Sequence, residues 1–544
     1  MSNKKSIKLK LLIAVLIVSL LPLMVGCGDG GVFLGGGSGE VRHVTERTIY
    51  LSMEKVRTLN PMISDDEDTY IISRLIYDGL FELDRYLMPQ KRLVESYRYS
   101  DDGLTLTIDL RQGIQWHDGQ ELTAEDVRFS IENYINLAGS NQTIYASYVA
   151  NIRAVNAVRG EPHRLTISFR STSNTGLENL IFPILPAHQF RRGADIRRNI
   201  DEFIPIGTGP YQVLSYNHLS RLVLVPNPDY HGNVPQNQLE FIIFRDKRDA
   251  LNLISINKVS LFISDELDRD AMTSTMHVNT VNFVSNRAEF VAFNMRHQTL
   301  GDRRVRQAIA YAIDSQQILE TAYLNSGILS NTIYFPYFFG NTNEEKRYDF
   351  DLERAAELLY AAGLRDFDGT GFLQDRFGNE VRIGILVNAD NAARMAAAEI
   401  IKNALDKLFF DSYIIYCDWD EYVSRINSGN FDMYIGGYSF NRRYDLRHLL
   451  HSQHNNRIGF SNPELDELLD EMQSGISNTR KAEVFQQVNA ILKDEVPIYC
   501  ILYKTYGAIS SVSLRGEVDP LFHHFFNNSG GWVKVYERPA AMAE

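Results

Sequence analysis

Between Val381 and Ile435 the chain alternates between two hydrophobic periods, and this alternation restricts the fold more than any other feature. Val381 to Val387 is an apolar run of strand length, Ala392 to Phe409 is helical, and Tyr413 to Tyr416 is again a strand. Trp419, Tyr422, Val423 and Ile426 then fall at i, i+3, i+4 and i+7, and Phe431 to Ile435 is a short strand interrupted only by Asp432. A βαβαβ succession predicts an α/β fold with parallel strands and helices on their faces. The face that carries Trp419 is expected to point at a core. Ser428, Gly429 and Asn430 end that helix, and Gly436 and Gly437 are expected to turn the backbone out of the strand. Ligands of open α/β sheets bind beyond the carboxyl ends of the strands, so Tyr438, Ser439, Phe440, Asn441, Arg442, Arg443 and Tyr444 form a candidate site.

The rest of the chain supports a folded body of several cores. Thr48 to Met53 reads as a strand, and the acidic run Asp65, Asp66, Glu67, Asp68 reads as the start of a helix over Tyr70 to Tyr77, where carboxylates favour the first turn. Leu104 to Leu110 alternates strictly, as a half-buried antiparallel strand does. Asp118-Gly119 marks a tight turn, and Thr123 caps a helix from Ala124 to Ile135. Asn462-Pro463 starts a helix over Glu464 to Met472, Asn478 caps another over Arg480 to Lys493, and Pro497 precedes a strand, Ile498 to Tyr503. About 500 residues after a leader correspond to roughly three or four domain-sized units.

The beginning of the chain indicates where the protein works. Lys4, Lys5, Lys8 and Lys10 precede an apolar run from Leu11 to Val25, as in a secretory signal; an uncleaved anchor is the alternative. Residues 1–26 carry four lysines and no acid, so their removal moves the formal charge from −13 to −17. Such a surface argues against nucleic acid and anionic lipid as partners. Gly28 to Gly39 is mostly glycine and reads as a flexible tether. Cys417 and Cys500 are too few for a disulfide framework, and a single bridge between them stays open.

Catalytic signatures are missing. There is no P-loop, no GxSxG, no HExxH and no paired CxxC after the leader. Gly207-Thr208-Gly209 lacks the later glycine of a dinucleotide fingerprint, and no cofactor is expected. His448, His451 and His454 are metal candidates by residue type. At a spacing of three they drift around a helix, so solvated or packing roles are favoured and no metal is assigned. Asp366, Asp368 and Gly369 to Gly371 lack the distal Glu of a calcium loop and read as a glycine-rich hairpin before Val381.

Ordered motifs along most of the chain resemble one known family. Leu59-Asn60-Pro61, Ile76 to Leu80 (IYDGL), Trp116 to Gly119 (WHDG), Thr123 to Val127 (TAEDV), Pro205 to Tyr211 (PIGTGPY), Asn227 to Tyr230 (NPDY), Phe293-Asn294, Arg303 to Ala308 (RRVRQA) and Asp351 to Leu364 (DLERAAELLYAAGL) are similar to solute-binding proteins of ABC importers, family 5. That family includes oligopeptide, dipeptide and nickel binders. The resemblance spans about Arg47 to Tyr536. It implies a two-lobe periplasmic-binding-protein-like fold of class II with hinge crossover strands. Residues 44–80, 205–288 and 508–538 would form lobe I, 81–204 its inserted subdomain, and 289–507 lobe II. Met24-Val25-Gly26-Cys27 resembles a bacterial lipobox, with Met24 where that motif usually has Leu, which implies lipidation of Cys27 and an extracytoplasmic protein held at the membrane.

What the resemblance implies is a binding protein, not an enzyme: a monomer that captures an oligopeptide or dipeptide between its lobes and delivers it to the transmembrane subunits of an ABC permease. A non-peptide solute, such as an oligosaccharide or a nickel or other metal chelate, and a ligand-presenting sensor are the alternatives. An anchored hydrolase would need a nucleophile or metal signature that the chain lacks. The implied ligand contacts are Trp419, Tyr438, Asn441, Arg442, Tyr444, Tyr145, Tyr148, Asp65 and Asn294, although Trp419 fits a core position as well. Peptide binders of the family have an aspartate at the position of Asn441, paired with the ligand's amino terminus. A neutral amide cannot supply that charge, while Arg442 and Arg443 beside it favour carboxylate or phosphate if either points inward.

Overall fold

The computed structural model describes residues 48–525 apart from 140–142, 191–195, 197–202, 255, 331, 341–347, 455 and 517, together with 536–537. The leader, Cys27 and the glycine-rich stretch lie outside the described residues. In chain order the strands that build the site are β1 (Thr48–Glu54), β2 (Val94–Tyr99), β3 (Thr105–Leu110), β4 (Ile152–Ala157), β5 (Arg164–Phe169), β6 (Tyr211–Asn217), β7 (Arg221–Pro226), β8 (Gln238–Phe244), β9 (Leu261–Ser264), β10 (Val278–Phe293), β11 (Gly327–Leu329), β12 (Arg382–Asn388), β13 (Asp411–Cys417), β14 (Met433–Ser439) and β15 (Ile498–Ser511). The helices that bear on it are α1 (Glu67–Ile76), α2 (Ala124–Ala138), α3 (Ala392–Lys407), α4 (Trp419–Ser428), α5 (Pro463–Met472) and α6 (Asn478–Glu495).

Local chemistry accounts for most boundaries. The Thr123 and Asp126 side chains form a capping box at the start of α2, and the Asp418 carboxylate accepts from the Glu421 N–H at the start of α4 (2.9 Å). Gly429 ends α4 in the left-handed region, at φ +73°, where a side chain would be strained. Asn462 caps α5 and Pro463 fills its first turn. The cap of α6 is Ser477, one residue before the expected Asn478. Ser477 keeps extended backbone and its hydroxyl accepts from the Arg480 N–H (3.2 Å), while Asn478 is already helical.

One large sheet runs in the order β13-β12-β14-β10-β15-β9-β1-β8-β7-β6, with β11 on the edge of β15. Its two halves meet only through β10 and β15, which pair antiparallel along their length. On one side β1 is parallel to β8 and β9; on the other β12 is parallel to β13 and β14, as the βαβαβ pattern predicts. A separate four-stranded antiparallel sheet, β2-β3-β5-β4, lies in the stretch between β1 and β6. One buried cluster contains Ile49, Leu51, Phe241, Ile108 and Ile167, and so joins the β1 half to the small sheet. Another, around Val291, Ile383, Ile385, Ile401 and Met433, underlies the β12 half.

Several expectations need correction. Gly436 and Gly437 do not turn the chain; both stay inside β14, and neither has positive φ. A Cβ at Gly437 would overlap the Arg394 guanidinium and the Glu289 carboxylate, and one at Gly436 would press on the Tyr434 ring. The glycines permit close approach rather than a bend. Trp419 does not enter the core: Tyr422 is buried, but Trp419 is 52% exposed, with its ring stacked on Tyr422 at 5.7 Å. Strand β15 runs on to Ser511 because Thr505 and Ser510 keep pairing with β10 and β9 after the apolar run ends, while Lys504 pairs with Gly327 of β11. The histidines do not share a helix, since the helical turn covers only Arg447–Leu450.

The glycine-rich segment and the two cysteines can also be placed. The Asp366 carboxylate accepts from the N–H groups of Gly369, Thr370 and Gly371, so this segment is a self-contained turn. Cys417 and Cys500 are both buried and free. Among the described residues, no helix is long and apolar enough to cross a membrane.

Candidate functional site

The register of the large sheet creates the site. Strand β14 ends at Ser439, opposite Arg287 of β10, whereas β9 ends at Ser264, opposite Gly507, which itself faces Asn282 of β10. The parallel strands of the two halves therefore run toward one another, and their carboxyl ends stop about five residues, or ~16 Å, apart along β10. The register of β10 slips between Val284 and Ala288. Within this irregularity the Ser285 hydroxyl donates to the Lys504 carbonyl (2.7 Å), and the Asn286 carbonyl accepts from the Phe440 N–H (2.9 Å). A bulge in the crossover thus fastens the loop that follows β14.

A cavity of about 510 Å³ opens at the carboxyl ends of β1, β8 and β9. Seven acidic side chains line it, among them Glu54, Glu67, Asp265 and Glu266, against three basic ones, Lys55, Arg245 and Arg287. Tyr506 and Phe525 contribute aromatic surface. Arg287 donates to Asp265 (2.7 Å), and its guanidinium lies 5.4 Å from the Tyr506 ring centroid. Burial opposes the charge of Asp265, yet the Arg287 hydrogen bond and charge hold its carboxyl below the usual range. Sequence reasoning passed over Glu54, Asp265 and Glu266. Their signal was available, because they follow directly on strands that lead into the crevice.

The loop after β14 carries most of the sequence candidates. Tyr438 is half-buried, with its ring 4.6 Å from the His448 ring. Asn441 is exposed; its side-chain oxygen accepts from the Arg443 N–H (3.0 Å), an Asx turn that shapes the loop. Tyr444 is fully buried at φ +48°, stacked on Phe440 at 4.9 Å. A left-handed backbone costs an aromatic residue roughly 1–2 kcal/mol, and here the surrounding rings impose it.

Arg442 and Arg443 reach different neighbours. Arg442 lies over the Tyr70 ring of α1, its guanidinium carbon 3.6 Å from the centroid. Arg443 is directed at the stretch between β3 and β6: Nη1 donates to the Asn179 side chain (3.0 Å) and to the Ser147 carbonyl (3.3 Å), and the group lies 5.2 Å from the Tyr148 ring. Tyr145 and Tyr148 are buried side by side, with centroids 5.7 Å apart, and burial pushes both phenols up. The structure therefore brings Tyr145, Tyr148, Arg442 and Tyr70 together, and Tyr70 is a member that the sequence did not single out.

Three candidates stand apart from this group. Asp65 is exposed in the loop before α1. Trp419 touches Tyr422 at the opening of α4. Asn294 is buried, and its amide donates to the carbonyls of Gly429 (3.2 Å) and Phe431 (2.7 Å), so it ties the end of α4 to the approach to β14. Its hydrogen-bonding capacity is used within the protein.

The metal candidates can also be placed. Donor atoms of His451, His454 and Asp470 lie within 4.8 Å of one another. Asp470 already accepts from Arg447 (3.2 Å), and His451 Nδ1 accepts from the Gln453 N–H (3.1 Å), which puts the ring proton on Nε2, the nitrogen that faces Asp470. Protein groups therefore already engage these side chains.

Comparison with known proteins places this geometry among relatives. Residues 88–457 match the profile described as bacterial extracellular solute-binding proteins, family 5 Middle. A dipeptide-binding protein of Escherichia coli K12 is 23% identical over 516 residues, covering 88% of this chain and 94% of the relative. Among solved structures, the murein tripeptide-binding protein MppA, in an unliganded open form, superposes with a TM-score of 0.76 at 18% identity, covering 91% of this chain and 98% of that one. NikZ from Campylobacter jejuni, in complex with Ni(L-His), gives 0.60 at 21%, covering 87% and 95%.

Proposed function

Because the chain belongs to the bacterial extracellular solute-binding proteins of family 5, we propose that it captures a peptide in the crevice between its two half-sheets and delivers it to an ABC permease. The observation that carries this reading is the convergence of both sets of carboxyl ends on the bulged middle of β10, beside a cavity of about 510 Å³. Residues 44–80, 205–288 and 508–538 act as one lobe with 81–204 inserted in it, and 289–507 act as the other; the sheet topology supports this division, with β10 and β15 as the hinge. Ligand that touches both lobes shifts the balance between open and closed arrangements, and no bond in it is made or broken. Tyr438, Arg442, Tyr145 and Tyr148 contribute ligand contacts in this reading, and Asp65 and Trp419 act at the crevice mouth. Acylation of Cys27 holds a monomer at the outer face of the membrane.

Thermal-shift measurement of the purified protein against peptides, oligosaccharides and nickel chelates tests the assignment, since a ligand of the native state raises the midpoint in proportion to ln(1 + [L]/Kd). Peptides are expected to raise it. A shift by a sugar or a chelate, with none by peptides of any length, overturns the reading. The second reading, a metal chelate, is favoured by the Ni(L-His) complex of NikZ. It predicts a shift by nickel with histidine and none by the peptides.

A further inference from the structure

On the loop after β14, the charge of Arg442 has no counterpart among the described residues. Arg442 rests on Tyr70 and beside Tyr145 and Tyr148, and its guanidinium makes no hydrogen bond or ion pair with any described residue. Its Nε is shut away from solvent without an acceptor. Arg443 on the same loop also has an Nε without an acceptor, but its Nη1 donates to Asn179 and Ser147, and Arg447 is engaged through all three nitrogens. Arg447 donates to Asp445 (2.7 and 2.9 Å), Asn174 (2.6 Å), Ser173 (2.9 Å) and Asp470 (3.2 Å).

The surroundings add a second cation. Arg74 of α1 is buried, with one hydrogen bond to the Ile181 carbonyl (3.3 Å) and an Nε without a partner. His523, whose carbonyl accepts from Tyr70 (3.1 Å), is held neutral by burial, as is His524. Glu67 is the acid that acts on Arg442 through space; it is exposed and forms no ion pair with it. In a chain of net charge −13, a desolvated guanidinium without an acceptor is unfavourable unless an anion arrives. Position 441 preserves that condition. An aspartate there would place a carboxylate beside Arg442, whereas Asn441 is neutral and spends its oxygen on the Asx turn.

We propose that Arg442, on its platform of Tyr70, Tyr145 and Tyr148, is a subsite for a ligand carboxylate, which it takes through its paired N–H groups. The proposal rests on the peptide-binding reading above and adds a direction to it. Glu67 and Tyr506 belong both to the lining of the acidic cavity and to the electrostatic neighbourhood of Arg442. A zwitterionic peptide accordingly lies with its amine toward the acidic cavity and its carboxylate on Arg442. The planar guanidinium grips carboxylate bidentately, and the tyrosine faces fix its plane.

The test compares two peptide libraries of three to six residues, identical except that one carries free carboxyl termini and the other C-terminal amides, by calorimetry on the full chain. Wild type is expected to bind the free-acid library at least tenfold more tightly. Arg442→Gln is expected to weaken the free-acid library at least tenfold more than the amide library, and Arg442→Lys is expected to restore part of that difference. Equal binding of both libraries by wild type overturns the proposal alone and needs no variant. Equal weakening of both by Arg442→Gln makes Arg442 a clasp on Tyr70 and also overturns it. Binding of neither library by wild type removes the peptide reading and the proposal with it.

Discussion

Two seams meet at the loop after β14, and they are built on opposite principles. Toward residues 173–179, between β5 and β6, the charges of Glu178, Lys481 and Arg447 are matched. Lys481 of α6 donates to both oxygens of Glu178 (2.7 and 2.6 Å), with both side chains more than nine-tenths buried, and Arg447 is surrounded by acceptors. Toward α1 the loop offers Arg442 over aromatic rings, with uncharged histidines behind them. The ion pairs of the first seam are made without a ligand, and the second leaves a cation to be matched. A saturated seam can hold two parts of a protein together, whereas an unsaturated one can register what comes between them.

The comparison breaks most readily at the Glu178–Lys481 pair. Lys481→Met strands a buried carboxylate and is expected to lower stability in urea unfolding by about 3–5 kcal/mol, whereas removal of both charges in Glu178→Leu/Lys481→Met recovers most of the loss. A single-variant loss below about 1 kcal/mol would mean that water reaches the pair.

Acid probes the other seam. Burial pushes His523 down to about 3, below its unfolded value of about 6.5, so the unfolded state binds the extra proton between those limits. Its contribution is complete above about pH 6.5 and is lost as pH falls toward 3. Roughly 2–3 kcal/mol should be gone by about pH 4, and His523→Gln/His524→Gln should flatten the slope of stability against pH in that window. An unchanged slope would place the titration elsewhere.

Smaller changes sharpen the contrast. Asn441→Asp keeps the Asx turn and places a carboxylate next to Arg442. Free-amine peptides are expected to gain about tenfold in affinity, ~1.4 kcal/mol, and the preference for free carboxyl termini to shrink; unchanged affinity for a confirmed peptide ligand would count against both. Trp419→Ala should leave unfolding stability within about 0.5 kcal/mol, as expected for an exposed side chain outside either seam. A weaker ligand affinity in that variant would place the indole on the ligand.

Much of the fold was legible because period and capping are local properties. The strands and helices from β12 to β14 follow from apolar spacing, and Thr123 and Gly429 mark helix ends through hydrogen bonds to their own neighbours. The site was legible in part. The rule about carboxyl ends found the loop that holds Tyr438, Arg442 and Tyr444, but it could not separate Arg442 from Arg443, since adjacent residues of one type differ only in what lies across from them. Gly436 and Gly437 were misread for a related reason: a glycine that admits a distant guanidinium looks the same in sequence as one that turns a chain.

By itself the sequence determined the parallel αβ units, the cap of α2 and the end of α4, the absence of catalytic signatures and the position of the candidate loop, since each depends on residues within about one helical turn or on strand alternation. Only the tertiary structure decided that β10 and β15 join two opposed half-sheets, that acids after β1 and β9 share one cavity, and that Arg442 meets tyrosines where Arg443 meets acceptors. Those outcomes depend on register and burial across hundreds of residues, where the free energy of a charge is set by its surroundings rather than by its place in the chain.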